Sequence, residues 1–411
     1  MNHLVRPFAA LRPRQATAQA VIAPPYDVVD IDEARTLAAS RPESFLHISR
    51  PEIDLPPGTD PYSDEVYATG AENLRRLIAA NILERETAAC YYAYRMTVGS
   101  HRQTGVAFAA SVDAYESGQI HRHELTRPDK ENDRVRNIQS LNAQTGPVLL
   151  TYKAAERVDG ILDEVAKSSP LLEARGQHDV IHTVWRLDDA AGIDELTHAI
   201  DALGDLYIAD GHHRSAAAAR VAAERRKTGS THNDNHDFFL SVAFPDDQMQ
   251  VFDYNRVVMD LNGQSVDDFI STVSDSFDVE AVDHPAKPEA PRNFGMYIDE
   301  QWYRLKPTVH PSTDDPVTSL DVSVLQNSLL APILGIADPR TDGRIGFVGG
   351  VRGLDELERR VDRGDAAVAF ALYPTGTKDL MAVADAGLLM PPKSTWFEPK
   401  LADGLLTHRI D

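Results

Sequence analysis

Cysteine is almost absent from this chain, and long apolar runs are absent altogether. Cys90 is the one cysteine among 411 residues, so an internal disulfide is excluded. No run of about 18 apolar residues occurs, which excludes a predicted transmembrane helix. The first residues also lack the apolar core of a secretion signal. Together these absences predict a cytoplasmic protein.

Several common cofactor and nucleophile motifs are missing as well. The sequence contains no Gly-x-Gly-x-x-Gly, no Gly-x-Ser-x-Gly and no paired-cysteine motif. Nicotinamide chemistry, serine hydrolysis by the α/β-hydrolase route and iron–sulfur clusters therefore have no support.

Basic side chains are scarce relative to acidic ones. The chain has 41 Lys and Arg against 63 Asp and Glu, a net charge of −22. Such a surface repels phosphate backbones, so nucleic acid is not an expected partner. A local basic cluster can still bind a small phosphorylated ligand.

The remaining composition is that of an ordinary globular protein. Apolar residues make up 42% and charged residues 25% of a chain long enough for two or three lobes. Strands and helices alternate without a regular β-α-β cycle, which predicts an α+β fold with a mixed sheet. A composition change after residue 259 predicts two regions, 1–259 and a C-terminal α/β lobe at 260–411. The predicted elements include a strand at 45–48 and helices at 63–83 and 320–334.

The richest group of functional side chains lies at residues 206–220. An apolar, β-prone run ends at Asp210, and an alanine-rich helical segment begins two residues later. Glycine accepts the positive φ of a tight turn, and the first amides of a helix attract anions. An ordinary β–α turn with solvent-exposed histidines is the alternative. The predicted phosphate ligands of this turn are Gly211, His212, His213, Arg214 and Ser215.

A second polar group runs from His121 to Arg134. Glu124 is a candidate general base or divalent-cation ligand. Lys130 and Arg134 are four residues apart, on one face if this region is helical, and are candidate phosphate ligands. Alternation predicts His121 and His123 on one face of a strand. The alternative is a solvated, charge-rich loop, and no third ligand at recognisable spacing supports zinc.

A third group follows two prolines near the C-terminus. Lys393, Ser394 and Thr395 present a cation and two hydroxyls, but without the glycines of a Walker A loop. We predict phosphate contacts here; the alternative is a docked loop anchored by Trp396 and Phe397. Asp27, Arg50 and Arg256 are weaker candidates.

The run from Asp210 to Ala217 resembles the Gly-x-x-Arg box of the ParB/sulfiredoxin superfamily, which grips nucleotide phosphates. Over nearly its full length the chain resembles a bacterial ParB-like family of unknown function. The motifs that carry this resemblance are Pro24–Val29, Arg122-His123-Glu124 with Asp133-Arg134, Asp210–Arg214, Asp321–Leu325 and Met390–Thr395.

The superfamily includes free serine kinases, which have a similar Asp-Gly-His-His-Arg box and use ATP or ADP with magnesium. The resemblance implies a ParB/sulfiredoxin-like core in residues 1–259 and phosphotransfer from a nucleotide to a small amino acid, with serine favoured. Sulfiredoxin activity is not expected, because histidines replace the cysteine of its box. The resemblance implies nucleotide-phosphate binding at Gly211–Arg214. The candidates for the other roles are Glu124, Asp210 and His213 for catalysis, Glu124 and Asp210 for magnesium binding, and Arg50, Arg122 and His123 for substrate binding.

Two other functions use the same pocket. One is a phosphatase or nucleotide hydrolase, in which water replaces the amino acid. The other is a non-enzymatic, ParB-like nucleotide-dependent switch. The phosphoryl donor, the acceptor and the oligomeric state stay open at this point.

Overall fold

The chain divides into two compact units. The structure is a computed structural model and describes residues 3–227, 234–309 and 315–411. Unit 1 comprises Met1–Met249 with Pro399–Asp411, and unit 2 comprises Gln250–Glu398. The sequence division at 259/260 assigned the last residues to the C-terminal lobe. In the structure they belong to unit 1, where His408 pairs with Gln144 and Asp403 pairs with Ala23.

Thirteen α-helices occur in the described residues, nine of them in unit 1. None of the helices in these ranges is long and apolar enough to span a bilayer. In chain order they are α1 (Ala18–Val21), α2 (Ile31–Ala38), α3 (Leu46–Ser49), α4 (Asp64–Ala79), α5 (Val112–Ser117), α6 (Pro128–Leu141), α7 (Glu156–Val165), α8 (Ala190–Asp201), α9 (His212–Lys227), α10 (Val266–Ser274), α11 (Asp321–Leu325), α12 (Asp355–Asp362) and α13 (Thr377–Asp385).

The strands alternate irregularly with these helices. They are β1 (Val5–Arg6), β2 (Leu11–Pro13), β3 (Leu83–Arg85), β4 (Tyr91–Val98), β5 (His101–Ser111), β6 (Ile120–His121), β7 (Ala143–Gln144), β8 (Val148–Tyr152), β9 (Leu172–Arg175), β10 (Ile181–Leu187), β11 (Leu206–Asp210), β12 (Phe238–Pro245), β13 (Gln250–Phe252), β14 (Tyr254–Val258), β15 (Phe277–Val282), β16 (Phe294–Ile298), β17 (Gln301–Pro307), β18 (Ile345–Gly349), β19 (Val368–Ala371), β20 (Trp396–Glu398) and β21 (His408–Arg409).

A mixed sheet forms the centre of unit 1. Its strand order is β6-β11-β8-β12-β5-β4-β10-β9, with β1 along β5. The pairs β6–β11 and β8–β12 are parallel, and the other pairs are antiparallel. Strand β5 is buried along most of its length, and a Cβ at Gly105 would lie 2.1 Å from the Ala243 carbonyl oxygen of β12. The expected α+β class with a mixed sheet is confirmed.

Packing between two helices brings together the segments that carry the candidate site. Val135 and Ile138 of α6 share a small apolar core with Ala217 and Val221 of α9. These residues recur at three- or four-residue spacing, so each helix turns one face to the other. The polar N-terminal turns of both helices are therefore held beside each other.

Unit 2 contains an antiparallel sheet in the order β15-β17-β16-β19-β14-β18 and a separate two-stranded pair, β13-β20. Its apolar core includes Val257, Trp302, Leu357 and Ala369. Strand β19 is buried along its whole length and lies between β16 and β14.

One predicted element was wrong, because a short apolar run does not reveal its period, and two predicted helices are confirmed over only part of their length. The predicted strand at 45–48 is helix α3, whose Ser49 amide donates to Phe45 O at 2.9 Å. The helix predicted at 63–83 ends at Ala79, and Asn81 has a positive φ of 55° before β3 begins. The helix predicted at 320–334 is α11 followed by a π-turn at Gln326–Leu330.

Candidate functional site

Gly211 makes the sharp turn from strand β11 into helix α9. Its φ is +100°, and an added Cβ would lie 3.1 Å from Arg214 Nε and 3.3 Å from Val148 Cα. Its carbonyl accepts from the amides of Arg214 (2.9 Å) and Ser215 (3.1 Å), which closes the first helical turn. The amides that precede them have no intrahelical acceptor and lie at the positive end of the helix dipole.

Arg214 is a buried cation behind this turn, with only 8% of its surface exposed. Its Nη1 donates to Pro147 O, and its Nη2 lies 3.4 Å from Asp210 Oδ2 and 3.7 Å from Asp27 Oδ2. Burial alone lowers the pKa of Arg214, but Asp27 and Asp210 outweigh it and raise the pKa above its ordinary value. The buried Nε has no hydrogen-bond partner among the described residues.

Asp210 links this arginine to a second cation. Lys400 Nζ lies 3.6 Å from Asp210 Oδ2, and about a third of the Asp210 side chain is exposed. Burial alone would raise the pKa of the Asp210 carboxyl. Lys400, Arg214 and the backbone amide of Gly211 outweigh burial and hold this pKa below its ordinary value. Asp210 is therefore ionised at neutral pH.

Asp27 reaches the same arginine from the turn after α1. Arg50 holds this turn, because its Nη1 donates to Tyr26 O at 2.8 Å and to Val29 O at 2.6 Å. The Asp27 side chain is 40% exposed. One carboxylate oxygen thus approaches Arg214 while the group stays open to solvent.

Two buried, neutral histidines, His123 and His212, lie beside Glu124. His212 Nε2 accepts from the His123 backbone amide at 3.5 Å, so His212 Nδ1 carries the proton. That Nδ1 lies 3.8 Å from Glu124 Oε2, and the Glu124 side chain is 46% exposed. The two rings meet edge to face at 4.5 Å, and burial lowers the pKa of His123 to about 4. Burial also lowers the pKa of His212 well below its ordinary value.

The other two predicted ligands of this turn already have partners. His213 Nε2 accepts from the backbone amide of Arg127 at 3.0 Å, just before α6 begins. Burial lowers the pKa of His213, so the ring is neutral. The Ser215 hydroxyl is fully buried and donates to His212 O at 3.0 Å. Contact of this hydroxyl with a phosphate would require that bond to break.

Helix α6 places Lys130 and Arg134 on one face, as their spacing predicted. Arg134 lies with its guanidinium 3.8 Å from the centroid of the Tyr26 ring and donates twice to Asp133 Oδ2. Lys130 Nζ donates to the Tyr62 hydroxyl at 3.2 Å near the surface. Arg134 therefore lies beside the Asp27 turn, whereas Lys130 lies against Tyr62.

The predicted substrate ligands occupy different environments. Arg50 donates to backbone carbonyls of the Asp27 turn, and its Nε donates to Glu52 Oε1 at 2.6 Å. Arg122 is exposed, with its guanidinium 5.1 Å from the Tyr115 ring. The buried Nδ1 of His123 has no hydrogen-bond partner among the described residues. His121 lies in β6, which ends there, so His121 and His123 do not share a strand face as predicted.

Lys393, Ser394 and Thr395 belong to unit 2. Lys393 is exposed with a positive φ of 57°, and the Ser394 hydroxyl donates to Pro391 O at 2.6 Å. Their contact with nucleotide phosphates stays a prediction.

A small cavity lies on the inner side of Arg214. It measures about 30 Å³, and its walls include Tyr26, Arg134, Gly146 and Asp403. Asp403 is 1% exposed, and neither of its carboxylate oxygens has a hydrogen-bond partner in the described parts of the chain. Burial raises the pKa of this carboxyl to about 7.

No group of three or more His, Cys, Asp or Glu side chains within metal-binding reach occurs in the described ranges. Glu124 and Asp210 therefore do not form a complete protein-ligated metal site. Mg²⁺ at phosphate-transfer sites is commonly held by one or two carboxylates together with substrate phosphates. These two residues fit that second arrangement.

Sequence reasoning underrated Asp27 and missed Lys400 and Asp403. Asp27 was a weak candidate because nothing local to Pro24–Val29 indicates that it meets Arg214. Lys400 and Asp403 lie almost 200 residues after Asp210 in the sequence. They come close to the turn at Asp210–Arg214 only because the C-terminal segment packs into unit 1. The Pro24–Val29 motif carries part of the family resemblance, and it is the signal in the sequence that points to Asp27.

The chain belongs to the family described as "Protein of unknown function (DUF1015)", whose model matches residues 5–323. No curated protein is significantly similar to it.

Several solved structures are similar in fold at low identity. A free serine kinase in complex with AMP is 11% identical, covering 71% of this chain and 86% of that one with a TM-score of 0.32. A mutant free serine kinase with ADP is 13% identical over 71% and 87%, with a TM-score of 0.34. C-terminally truncated SbnI from Staphylococcus aureus is 14% identical over 72% and 84%, with a TM-score of 0.37. At these values the similarity carries no argument about activity.

Proposed function

We propose that this member of the family is a phosphotransferase that moves a phosphoryl group from ATP or ADP to the hydroxyl of a small amino acid, with serine favoured. The observation that carries the proposal is the buried, unpartnered Nε of Arg214 at the N-terminus of the 16-residue helix α9. We further propose that the protein is cytoplasmic and that its core is of the ParB/sulfiredoxin type.

Phosphate binding follows from the donors at this turn. A buried donor without a partner costs roughly 1–3 kcal/mol, more when it is charged, and a ligand that accepts its hydrogen bond recovers that cost. The first amides of α9 and the positive end of its dipole favour the same kind of ligand. A phosphate at the Gly211 turn meets all of these donors, and Lys400 adds a second positive charge nearby.

The surrounding carboxylates favour a divalent cation beside the phosphates. Asp27, Asp210 and Glu124 are each between a third and a half exposed, so three negative charges border the same turn. They repel a polyphosphate unless a cation lies between. Asp210 and Glu124 are the residues that would hold Mg²⁺ together with the nucleotide. Its chemistry there is neutralisation of phosphate charge.

Two carboxylates are placed to accept the proton of the attacking hydroxyl. Glu124 Oε2 lies 3.8 Å from Nδ1 of His212, and because burial keeps that imidazole neutral, the proton stays on His212. Asp27 Oδ2 lies 3.7 Å from Arg214 Nη2 and forms an ion pair with it. We assign Glu124 as the base, because Asp27 is already paired with Arg214. Arg122 and His123, adjacent to Glu124 in sequence, are the proposed contacts of the amino acid.

The test is a product assay on the purified chain. Incubation with ATP or ADP, Mg²⁺ and L-serine is followed by phosphorus NMR, and we expect phosphoserine. Arg214→Ala should lower kcat/KM by about 100-fold or more, the effect of removing one preorganised donor to transferring charge. Arg220→Ala, on the same helix and partly exposed with its guanidinium 3.3 Å from Glu131, is the matched control and should keep full activity.

A second variant keeps the test informative if Arg214→Ala does not fold. Glu124→Gln changes a half-exposed side chain and should retain the fold while losing turnover. Full turnover by Arg214→Ala would overturn the phosphate site. Nucleotide hydrolysis without phosphoserine would replace the kinase with the hydrolase. Nucleotide binding without any product would favour the switch.

A further inference from the structure

Arg256 is a buried cation in the central part of the unit 2 sheet. It lies in β14, opposite Phe347 of β18 and Phe370 of β19, and only 4% of its surface is exposed. Its Nη1 donates to Tyr254 O at 2.7 Å, and its Nη2 donates to Lys393 O at 3.0 Å and Pro392 O at 3.4 Å. No carboxylate pairs with it in the part of the chain that the structure describes. Burial lowers the pKa of Arg256 to about 10.

A second cation lies over the same aromatic ring. Lys393 Nζ is 5.7 Å from the centroid of Tyr254, and Arg256 Cζ is 5.8 Å from it. Lys393 is exposed, and its backbone has a positive φ, which turns residues 391–395 sharply. Two like charges around one ring repel each other, and the ring quadrupole offsets only part of that cost.

The acidic side chains nearest to Arg256 and Lys393 in the sequence already accept hydrogen bonds from other residues. Asp253 accepts from the side chain of Asn255, and Glu398 accepts from Trp396 Nε1 at 2.8 Å. A buried charge without an opposite charge is costly, and natural proteins rarely retain one without a partner or ligand. In a chain with a net charge of −22, this uncompensated pair of cations is a local exception.

We propose that unit 2 carries an oxyanion-binding site of its own, in which Arg256 and Lys393 pair with a phosphate or carboxylate group of a small molecule at residues 391–395. Arg256 supplies a fixed positive charge from within the sheet, and Lys393 supplies a second positive charge at the surface. Thr395 and the turn amides lie in the same segment. The donors that carry the proposed nucleotide site, Arg214, Lys400 and the first amides of α9, are all in unit 1.

The experiment titrates full-length protein with inorganic phosphate by isothermal calorimetry. It is performed on the wild type and on Arg214→Ala, which removes the main phosphate donor of unit 1. We expect saturable phosphate binding to persist in Arg214→Ala and to weaken by about threefold or more in Arg214→Ala/Lys393→Ala, as for an exposed charge pair. Lys306→Ala, which removes an exposed lysine of β17, is the matched control.

Three results would overturn the site: binding of neither phosphate nor acetate by Arg214→Ala, unchanged affinity for the bound anion after Lys393→Ala, or an equal loss after Lys306→Ala. Arg256→Gln should abolish binding, and the exposed Lys393 keeps the test decisive if that variant does not fold. A parallel titration with acetate separates the two oxyanions: sensitivity to Lys393→Ala with acetate alone assigns the site to carboxylates. Failure of the kinase assay leaves this titration unaffected, so the two proposals fail separately.

Discussion

Replacing Gly211 with alanine tests the geometry of the turn more sharply than replacing any charged residue. The change adds one methyl group and removes no donor or charge. Its φ of +100° is unfavourable for a residue with a Cβ, and the new atom would meet Arg214 Nε at 3.1 Å and Val148 Cα at 3.3 Å. Arg214 is pinned at Pro147 O, so the methyl group must displace either a buried guanidinium or the backbone of β8.

Gly204 provides the matched control, because it separates the backbone effect from the contact. Its φ is +80°, and nothing lies within 4 Å of an added Cβ. Gly204→Ala should therefore cost only the left-handed backbone penalty, about 1–2 kcal/mol. Gly211→Ala should cost that amount plus a steric part of about 1–3 kcal/mol, typical of an overpacked site.

Two measurements on both variants check this reasoning. Urea unfolding gives the loss in the free energy of unfolding, and calorimetric titration with ATP and Mg²⁺ gives the nucleotide affinity. Both variants should be less stable than the wild type. Only Gly211→Ala should bind the nucleotide more weakly, by about tenfold if displacement of Arg214 costs about 1.4 kcal/mol of binding free energy.

Equal nucleotide affinity in the two variants would refute the reasoning. It would mean that the position of Arg214 relative to the first turn of α9 does not matter for phosphate binding. Equal stability losses would refute the steric part alone, because Gly204 carries only the backbone penalty.

Two further predictions concern unit 1. Burial raises the pKa of Asp403 from 3.8 to about 7, so the folded state binds this proton more tightly than the unfolded state. The resulting stabilisation is complete below about pH 4 and is lost as the pH rises through 7. Asp403→Asn should thus gain stability over the wild type between pH 4 and 7, by up to about 4 kcal/mol in urea unfolding; a pH-independent difference would contradict this. Asp30 caps α2 by accepting from the amides of Asp32 and Glu33, so Asp30→Ala should cost about 1 kcal/mol in the same assay, and no loss would contradict the cap.

Local chemistry explains why the Gly211 turn was predictable. A β-prone run, a glycine and an alanine-rich helix follow each other within 15 residues, and each requirement of the turn is local. The same holds for Lys130 and Arg134, whose four-residue spacing places them on one face as soon as α6 forms. Short apolar runs such as 45–48 carry no such period, and there the prediction was wrong.

The roles of individual side chains were less predictable, because hydrogen bonding depends on what lies opposite. Arg50 and Ser215 had the right chemistry for anion ligands. In the structure the guanidinium of Arg50 holds the Asp27 turn, and the hydroxyl of Ser215 donates within its own helix. Competition between a ligand and a nearby carbonyl is decided by distances that a sequence does not contain.

By itself the sequence determined the acidic surface, the α+β class and the helix N-terminus at Gly211, because each depends on composition or on neighbours along the chain. Only the tertiary structure decided that Asp27, Lys400 and Asp403 surround Arg214. Return of the C-terminal segment to unit 1 brings residues almost 200 positions away within 4 Å of the turn. The tertiary structure also decided that Arg214 is buried with an unpartnered N–H. Burial and the pKa shifts that follow from it are properties of the packed chain, so they become visible only when the strands, helices and C-terminal segment are assembled.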